Sequence, residues 1–374
     1  METVLKDKKL FALFLSLCMF GPGLFAVAQK SAIITFNVPG ASTGSGEGTL
    51  PKSISDAGVI AGTYFEGALT HSFVRRPNGA IVRFNVKGAG TGNYEGTFAQ
   101  SINLSGEITG FYVDANNAHH GFVRSPKGLI ATFDAPGAGK TQAQGTMPFN
   151  INQHGEVAGY FIDSSNELHG FVRSAGGAIS AFNVKGAGTG LYLGTYVNYP
   201  AALNASGALA AQYMRSDQVV RAAVRAPDGT ITRFSVTGAG TSTGQGTVVS
   251  GINASGAVEG WYTDAGGVFH GYIRAPKGAI TKFDVAGAGT GANQGTLAKC
   301  SNDAGAVTGE FVDNSYAIHG FLRAPDAGIS TFDVKGAGTG VVQGTYPVCN
   351  NAAGAITGFY VDANNVNHGF LRTP

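Results

Sequence analysis

Short apolar segments alternate with polar and glycine-rich turns along most of the chain. Between residues 96 and 135 the apolar segments are GTFAQSIN, GEITGFYVD, HHGFVR and LIATFDA. Each is rich in β-branched and aromatic residues and is bounded by Gly, Asn, Asp or Pro, which is typical of strands separated by turns. No apolar period of the helical type is visible. The pattern therefore predicts four β-strands and no helix in this part of the chain.

This group of four segments recurs along the chain. A marker phenylalanine stands in each copy at intervals of 48, 49, 49, 52, 49 and 49 residues: Phe36, Phe84, Phe133, Phe182, Phe234, Phe283 and Phe332. Gly-Thr pairs keep the same spacing and begin at Gly48, Gly96, Gly145, Gly194, Gly246, Gly295 and Gly344. An arginine does so too, as Arg75, Arg124, Arg173, Arg225, Arg274, Arg323 and Arg372. Seven copies of about 49 residues fill residues 29–374.

Three of the four connections within a copy are short. In the second copy they are residues 103–106, 115–118 and 126–128, whereas the connection that starts at residue 88 is the longest and the richest in glycine. Three tight hairpins in succession make a four-stranded antiparallel meander, and the long loop leads to the next meander. We predict an all-β, seven-bladed β-propeller with four antiparallel strands per blade, the Gly-Thr strand along the axis and the strand after HGFVR outermost. An open β-solenoid or a differently closed β-array is the alternative.

The two ends of the repeat array complement each other. Residues 32–38 have the pattern of an outermost strand, whereas the chain ends at residues 368–372, one strand short of a full copy. We predict that the N-terminal strand pairs with the last copy and closes the ring, because this leaves no open sheet edge. The glycine-rich and Asp-to-His loops then lie on one face, and the Asn-x-x-Gly and Pro-x-Gly turns on the other. The first face is the predicted binding face, since its loops are longer and more variable.

The first 28 residues differ from the repeats. Three lysines within residues 6–9 precede an apolar run over residues 10–20, and Ala-Val-Ala at residues 26–28 has the small-x-small pattern of a cleavage site. These features predict a signal peptide over residues 1–28 and a secreted or periplasmic protein whose single domain spans residues 29–374. Gly-Pro-Gly at residues 21–23 interrupts the apolar run, which disfavours a permanent membrane span.

Charge and cysteine content narrow the class of protein further. Only 13% of the residues are charged and the net charge is +2. Since basic clusters are absent, we expect no nucleic-acid partner. No later apolar stretch approaches the roughly 20 residues of a spanning helix, so we expect no membrane span after signal cleavage. We also expect a monomer. Cys300 and Cys349 follow the Gly-Thr glycine by five residues in adjacent copies. They form a disulfide if their Cα atoms lie within about 4.4–6.8 Å, and are otherwise independent buried thiols.

One repeat unit resembles a known family. The unit IN-x-x-G-x-I-x-G-x-Y, followed by HGF-[VL]-R and I-x-x-FD, is found in residues 102–134 and resembles the HAF-type extracellular repeat of bacterial secreted proteins. The similarity spans residues 31–374, although Gly replaces the family's Ala after the histidine and Arg stands where an aromatic residue is common. The resemblance implies an exported β-repeat protein. It implies no catalytic residue, because most of these proteins are of unknown activity.

A histidine and a carboxylate recur together. The histidines are His71, His120, His169, His270, His319 and His368. The carboxylates precede them by five residues in the first copy and by six in the others: Glu66, Asp114, Asp163, Asp264, Asp313 and Asp362. The fourth copy has Arg215 and Arg221 instead, and this joint replacement indicates that the paired side chains interact. We interpret the pairs as a polar network between strands.

The alternative for these pairs is a metal site or an acid/base pair in each copy. One histidine and one carboxylate per copy fall short of the three or four ligands that zinc normally takes, so we predict no metal site.

DANN at residues 114–117 and 362–365 lacks the rest of an EF-hand loop and is interpreted as an Asx turn. APGAGKT at residues 135–141 lacks the first glycine and the following helix of a phosphate loop, so we expect no cofactor. The marker phenylalanines and Trp261 are assigned to the core.

The fourth copy breaks the symmetry of the repeats. It carries a three-residue insertion within GTYVNYPAALN, residues 194–204. Its Tyr196, Tyr199, Arg215 and Arg221 form a group unlike that of any other copy, and they are our candidate binding residues. A copy that has drifted without function is the alternative explanation.

Two functions compete at this point, and a purely structural envelope protein is a third possibility. The first is an exported, non-enzymatic binding scaffold for a glycan or an envelope protein, which acts through the face with the glycine-rich and Asp-to-His loops. It is favoured because no nucleophile, metal cluster or cofactor loop is recognisable and polar residues are spread over all seven copies. The alternative is a lyase or hydrolase with one site at the channel mouth near the fourth copy, where Tyr199, Arg215 and Arg221 would act.

Overall fold

Residues 31–374, the part of the chain that the computed structural model describes, are built of β-strands connected by turns and loops. This range contains 28 strands and no helix. The predicted signal peptide, residues 1–28, lies outside the described residues. Within residues 31–374, no helix has the length and apolar character required to cross a membrane.

The strands recur in the order that the sequence pattern predicts. Their bounds are β1 Ile33–Phe36, β2 Thr49–Ile54, β3 Ile60–Glu66, β4 Leu69–Arg75, β5 Ile81–Phe84, β6 Gly96–Ile102, β7 Ile108–Val113, β8 His119–Arg124, β9 Ile130–Phe133, β10 Gly145–Ile151, β11 Val157–Ile162, β12 Leu168–Arg173, β13 Ile179–Phe182, β14 Gly194–Tyr196, β15 Leu209–Met214, β16 Val220–Arg225, β17 Ile231–Phe234, β18 Gly246–Ile252, β19 Val258–Thr263, β20 Phe269–Arg274, β21 Ile280–Phe283, β22 Gly295–Ser301, β23 Val307–Val312, β24 Ile318–Arg323, β25 Ile329–Phe332, β26 Gly344–Asn350, β27 Ile356–Val361 and β28 Asn367–Arg372.

Consecutive strands within a copy pair antiparallel. In the second copy β6 pairs with β7, β7 with β8 and β8 with β9. Neighbouring copies are joined by one parallel bridge, as between Thr70 of β4 and Gly96 of β6. At the ends of the array β1 pairs antiparallel with β28, from Ile33 opposite Arg372 to Phe36 opposite Gly369. The predicted pairing of the N-terminal strand with the last copy is therefore confirmed.

The Gly-Thr pair at the start of each inner strand serves the junction between copies. Gly96 has φ of 117°, and any side chain there would run into the carbonyl oxygen of Thr70 in the preceding copy. This position therefore requires glycine. The next residue, Thr97, accepts a hydrogen bond at Oγ1 from the backbone N–H of Val86, at 2.9 Å. The inner strand is thus fixed to the loop that leads into it.

The marker phenylalanines pack between neighbouring copies and are half-buried, not fully buried. The Phe84 ring meets the buried Phe122 ring of the next copy edge-to-face, with centroids 6.1 Å apart. The Arg124 guanidinium carbon lies over the Phe84 ring, 4.7 Å from its centroid. The packing role assigned from sequence holds, but the fully buried ring is that of the HGF motif. The Phe133 ring covers Gly121, where a Cβ would lie 2.7 Å from Phe133 Cζ, which explains the glycine after the histidine.

Cys300 and Cys349 lie on the inner strands β22 and β26 of adjacent copies. They form a disulfide, and their Cα atoms are 5.0 Å apart. This separation falls in the range of about 4.4–6.8 Å that disulfides require. Of the two alternatives left open by the sequence, the structure therefore has the disulfide.

Candidate functional site

Two kinds of loop lie together on one face, which we call the loop face. In the second copy the backbone N–H of Tyr94, in the glycine-rich loop, donates to the carbonyl of Ala68, in the Asp-to-His type hairpin of the preceding copy, at 2.9 Å. At the other end of the strands Gly106 packs against Pro126. The predicted division of the loops between two faces is confirmed. The loop face comprises residues 37–48, 67–68, 85–95, 114–118, 134–144, 163–167, 183–193, 215–219, 235–245, 264–268, 284–294, 313–317, 333–343 and 362–366.

Each glycine-rich loop contains a residue in the left-handed backbone conformation. It stands two positions before the Gly-Thr glycine, and the seven residues are Gly46, Tyr94, Ala143, Tyr192, Gly244, Asn293 and Val342, with φ between 54° and 81°. Glycine adopts this conformation without steric cost, whereas an ordinary L-residue loses about 1–2 kcal/mol. Tyr94 and Tyr192, which are bulky, therefore destabilise their loops relative to glycine, and β-branched Val342 does so most of all.

The side chains at these left-handed positions are not buried in compensation. Tyr94 is 78%, Val342 62% and Tyr192 45% exposed. Leu191, Val341 and Tyr316 on the same face are exposed as well. Large apolar side chains in solvent, held by strained backbone, point to a surface that contacts another molecule.

The repeated histidines lie on the loop-face ends of their strands and have two polar partners each. His169 Nε2 lies 3.2 Å from Asp163 Oδ2, and Nδ1 lies 3.1 Å from Asn183 Oδ1. The ring stacks on Phe161, with centroids 4.8 Å apart. The predicted contact between histidine and carboxylate is present in six copies, at Nε2–O distances of 3.2–3.5 Å.

The sequence analysis did not identify the second polar partner of each histidine. It is the residue after the marker phenylalanine: Asn37, Asn85, Asp134, Asn183, Asp284 and Asp333. The fourth copy has Ser235 there, so three members of the network are replaced together. That joint replacement was the signal that could have revealed it.

Hydrogen bonds lower the carboxyl pKa of the five aspartates that stand six residues before a network histidine. Partial burial of Asp163 opposes ionisation, but the backbone N–H of Glu167, the His169 ring and the backbone N–H of Ser165 together lower the pKa of its carboxyl. Asp163 Oδ1 accepts from both N–H groups, which is the Asx-turn geometry predicted for DANN and found at Asp114 and Asp362 as well. For His319, desolvation is outweighed by Asp333 and Asp313, so that its pKa is raised.

One network has a third group that could ligate a metal. Ligand atoms of Asp163, Glu167 and His169 lie within 4.8 Å of one another. Glu167 Oε1, however, accepts a hydrogen bond from the backbone N–H of Gly190 at 2.8 Å. Each carboxylate in this group therefore already has protein donors, and the arrangement serves the loop face as a network.

The fourth copy has an ion pair in place of the histidine network. The Arg221 guanidinium contacts the Asp217 carboxylate through two bonds of 2.9 and 2.6 Å. Hydrogen bonding from Arg221 lowers the pKa of Asp217 to about 2. Arg215 is exposed in the same hairpin. Arg215 therefore lies on the loop face, and Arg221 lies at the loop-face end of β16.

The two predicted tyrosines of the fourth copy lie inside the molecule. Tyr196 is buried against Met147 and meets the Tyr160 ring at 6.4 Å. Tyr199 packs edge-to-face on Trp261, with centroids 5.5 Å apart, and Trp261 is buried as predicted. In the described part of the chain the contacts of these tyrosines include neither arginine. The four candidate residues thus divide between two places.

The three-residue insertion of the fourth copy lies across the convergence of the inner strands. The carbonyl of Pro200 accepts a hydrogen bond from Ser101 of the second copy at 3.3 Å. Ala201 pairs with Gly251 of the fifth copy, and the N–H of Ala202 donates to Asn150 Oδ1 of the third copy at 2.6 Å. One segment of one copy therefore contacts three others.

The insertion lies between two cavities. One, of about 490 Å³, is lined by Lys52, Gln100, Phe149, Asn198, Tyr199, Pro200, Lys299, Glu310, Tyr346, Pro347, Val348 and Phe359. The other, of about 190 Å³, is lined by Ala201 and Leu203 and by residues of the Asn-x-x-Gly turns. Tyr346 connects the larger cavity to the loop face, because its hydroxyl donates to the carbonyl of Val342 at 2.6 Å. We call the larger one the axial cavity.

Known structures share this fold at low sequence identity. The β-propeller domain of the Trilobed protease from Pyrococcus furiosus is 9% identical, with 88% of this chain and 94% of that chain covered and a TM-score of 0.53. The BP39L lectin from Burkholderia pseudomallei is 10% identical over 91% and 95%, with a TM-score of 0.51. Oligogalacturonate lyase from Vibrio parahaemolyticus is 10% identical over 92% and 97%, with a TM-score of 0.54.

These likenesses show an all-β, repeat-built chain with a β-propeller fold. No protein-family model matches the chain. No curated protein matches it either. Since fold does not imply function, a function has to be argued from the sites described above.

Proposed function

We propose that the chain is a seven-bladed β-propeller of the HAF-repeat type that acts, after export, as a non-enzymatic binding scaffold for a glycan or an envelope protein. Each copy is one four-stranded blade, and β1 completes the last blade. The antiparallel pairing within copies and the pairing of β1 with β28 support this architecture. The loop face is the binding surface, and the chain works as a monomer.

The observation that carries the proposal is the exposure of bulky residues at left-handed positions. A loop selected for stability alone would keep glycine there, as at Gly46 and Gly244. Six of the eleven large apolar or tyrosine side chains that are exposed within residues 31–374 lie on the loop face, and two lie on the turns of the opposite face. The enrichment supports the loop face as the contact surface.

A glycan is the partner class that we favour. Tyr94, Tyr192 and Tyr316 offer exposed rings, and a tyrosine presents an apolar face together with a polar hydroxyl. Amide, carboxylate and imidazole groups of the histidine networks lie on the same face. Apolar faces beside such donors and acceptors suit the mixed surface of a sugar ring. An envelope protein is the other outcome of the test below.

The enzyme alternative has no support from contacts within residues 31–374. Tyr199 lines the axial cavity, whereas Arg221 is paired with Asp217 in a hairpin of the loop face. An acid/base or oxyanion role would need these groups within hydrogen-bond reach of one reacting centre. The binding scaffold is therefore the better-supported function.

The test uses the protein without its signal peptide. Tyr94→Gly, Tyr192→Gly and Val342→Gly, combined in one variant, relieve the backbone strain and remove the exposed side chains. We expect unfolding at a higher denaturant concentration than the wild type and at least tenfold weaker binding on an array of neutral and acidic polysaccharides. The matched control, Leu104→Ser with Leu129→Ser, removes exposed side chains of the opposite face and leaves binding unchanged.

Two results would contradict the proposal. One is a triple-glycine variant that binds the same polysaccharides as tightly as the wild type. The other is a wild-type protein that binds neither the polysaccharide array nor a panel of purified envelope proteins. Binding to an envelope protein alone, lost in the triple variant, would keep the loop face and replace the glycan.

A further inference from the structure

The axial cavity is built from side chains that the inner strands direct towards one another. In the regular copies the residue four positions after the Gly-Thr glycine is skipped by the antiparallel ladder. Such a β-bulge redirects a side chain out of the regular alternation. Lys52, Gln100, Phe149, Lys299 and Val348 are bulge residues of this kind, and all five line the cavity.

The insertion of the fourth copy turns this convergence into a single pocket. Tyr199 and Pro200 form part of the cavity wall, and the next residue, Ala201, lines the smaller cavity beyond. The segment is held by Ser101, Asn150 and Gly251 of three other copies. A channel with sevenfold symmetry would present a similar set of side chains to a ligand in every copy. Because one copy alone carries the insertion, the cavity is a single site with one set of lining residues.

The charges in the cavity do not balance. Lys299 Nζ lies 3.1 Å from Glu310 Oε1 and 4.6 Å from the centroid of the Trp261 ring. Lys52 has no carboxylate within salt-bridge distance among the described residues, and burial lowers its pKa. Lys52 is only partly exposed, so that its ammonium group is incompletely hydrated and has no counter-charge within residues 31–374, and a ligand anion would supply that charge.

The rest of the wall is aromatic and polar. Tyr346 and Phe359 stack with centroids 4.8 Å apart, and Phe149 and Tyr199 add further rings. Gln100 and Asn198 bring amide groups that donate and accept hydrogen bonds. The volume of about 490 Å³ lies within the usual range of small-molecule sites, about 300–1,000 Å³.

We propose that the axial cavity binds a small acidic sugar, with its carboxylate on the Lys52 ammonium and a face of its ring on the aromatic wall. The amides of Gln100 and Asn198 and the Lys299–Glu310 pair meet the hydroxyl groups. The site adjoins the loop face through Tyr346 but is lined by other side chains than the exposed loop-face residues, and it holds one ligand because one copy alone has the insertion. It therefore stands or falls independently of the function proposed above.

The experiment is isothermal titration of the protein without its signal peptide, with glucuronate as the probe and glucose as its neutral counterpart. We expect glucuronate to bind at least tenfold more tightly than glucose, because only glucuronate carries the anion. Lys52→Gln should weaken glucuronate at least tenfold and leave glucose unchanged, and Lys52→Arg should retain most of the affinity. Lys277→Gln, on an exposed turn, is the matched control and should change neither.

Further arms separate the acidic sugar from other anions. Phe149→Leu should weaken glucuronate and glucose alike, since it removes a ring from the wall. Equal or tighter binding of benzoate or of inorganic phosphate would overturn the sugar assignment. Equal binding of glucuronate to the wild type and to a folded Lys52→Gln variant, with folding verified by its melting temperature, would overturn the site. Loss of loop-face binding in the triple-glycine variant with glucuronate binding intact would show that the two sites are independent.

Discussion

The periphery of each copy and the residues around the axis follow different rules. At every junction between copies an arginine covers a marker phenylalanine, at 4.7 to 5.3 Å from guanidinium carbon to ring centroid. Around the axis the seven equivalent positions hold six residue types, and only lysine occurs twice: Lys52, Gln100, Phe149, Asn198, Ser250, Lys299 and Val348. Repetition at the junctions marks packing that every copy needs. Diversity at the axis is what a site with a single ligand requires.

The largest effect is expected at the periphery. Phe122, in the second copy, is fully buried and packs against the marker Phe84 at the junction with the first copy. Phe122→Ala should lower the free energy of unfolding by about 3–5 kcal/mol, because it removes a buried ring and leaves a cavity. Urea unfolding measures the loss. The fourth copy has Ala223 at this position, also buried, and Ala223→Gly should cost no more than about 1 kcal/mol. Equal losses at the two positions would contradict the view that the HGF ring carries the junction.

The next effect is at the axis, where within residues 31–374 one junction between copies is covalent. The Cys300–Cys349 disulfide joins residues 49 apart in sequence. Removing it with the double change Cys300→Ser and Cys349→Ser should lower stability by about 2–4 kcal/mol, since the unfolded chain gains the entropy of an open loop. Guanidinium unfolding of the wild type with and without reductant is the measurement. A reduced wild type as stable as the oxidised protein would contradict it.

The features that the sequence predicted belong to the repeated positions, and those that it did not predict lie around the axis. The strands, the tight turns, the two faces and the pairing of β1 with β28 follow from spacing, because Gly96, Thr97 and their equivalents perform the same task in every copy. The disulfide was one of two alternatives, and only the 5.0 Å between Cα atoms decided it.

The axis could not be predicted in this way. Pro200 contacts Ser101 across the inner strands, 99 residues away, and no repeat spacing relates these two positions. Tyr196, Tyr199, Arg215 and Arg221 were grouped because all four lie where the fourth copy departs from the repeat pattern. The hairpin that carries both arginines, however, lies on the loop face, away from the axis. Contacts between unlike positions depend on how the ring closes, and the repeat pattern carries no information about them.

A third prediction concerns a buried acid near the axis. Glu259 stands where other copies have Thr109, Thr308 or Thr357, and burial raises its pKa to about 7. Ser301 Oγ donates to its Oε2 at 2.7 Å, while Oε1 has no partner among the described residues. Because the pKa in the folded protein is above that of an unfolded glutamate, this group favours folding at low pH, and stability is lost as pH rises through about 7.

The measurement for Glu259 is urea unfolding between about pH 5 and pH 8. The wild type should lose on the order of 2–3 kcal/mol over this range, from the upward shift of the carboxyl pKa. Glu259→Gln should remove this loss and be the more stable protein at about pH 8. Glu259→Thr, the residue found at this position in three other copies, should be equally independent of pH. Parallel curves for wild type and Glu259→Gln would show that this carboxyl does not titrate in the folded protein.

The smallest effect is expected for the polar networks of the loop face. Six copies have the histidine network there, and the fourth has the Asp217–Arg221 ion pair. His169→Ala removes a ring stacked on Phe161 and two hydrogen bonds at a partly exposed site, so we expect a loss of about 1 kcal/mol. A double-mutant cycle with Asn183→Ala should give a coupling of at least about 0.5 kcal/mol, since the two side chains share a bond. Arg221→Ala should matter less, and its effect should vanish in about 1 M NaCl, because the Asp217–Arg221 pair is exposed to solvent and is screened by salt. A salt-sensitive His169→Ala, or a salt-insensitive Arg221→Ala, would mean that the two arrangements stabilise the loop face by the same means.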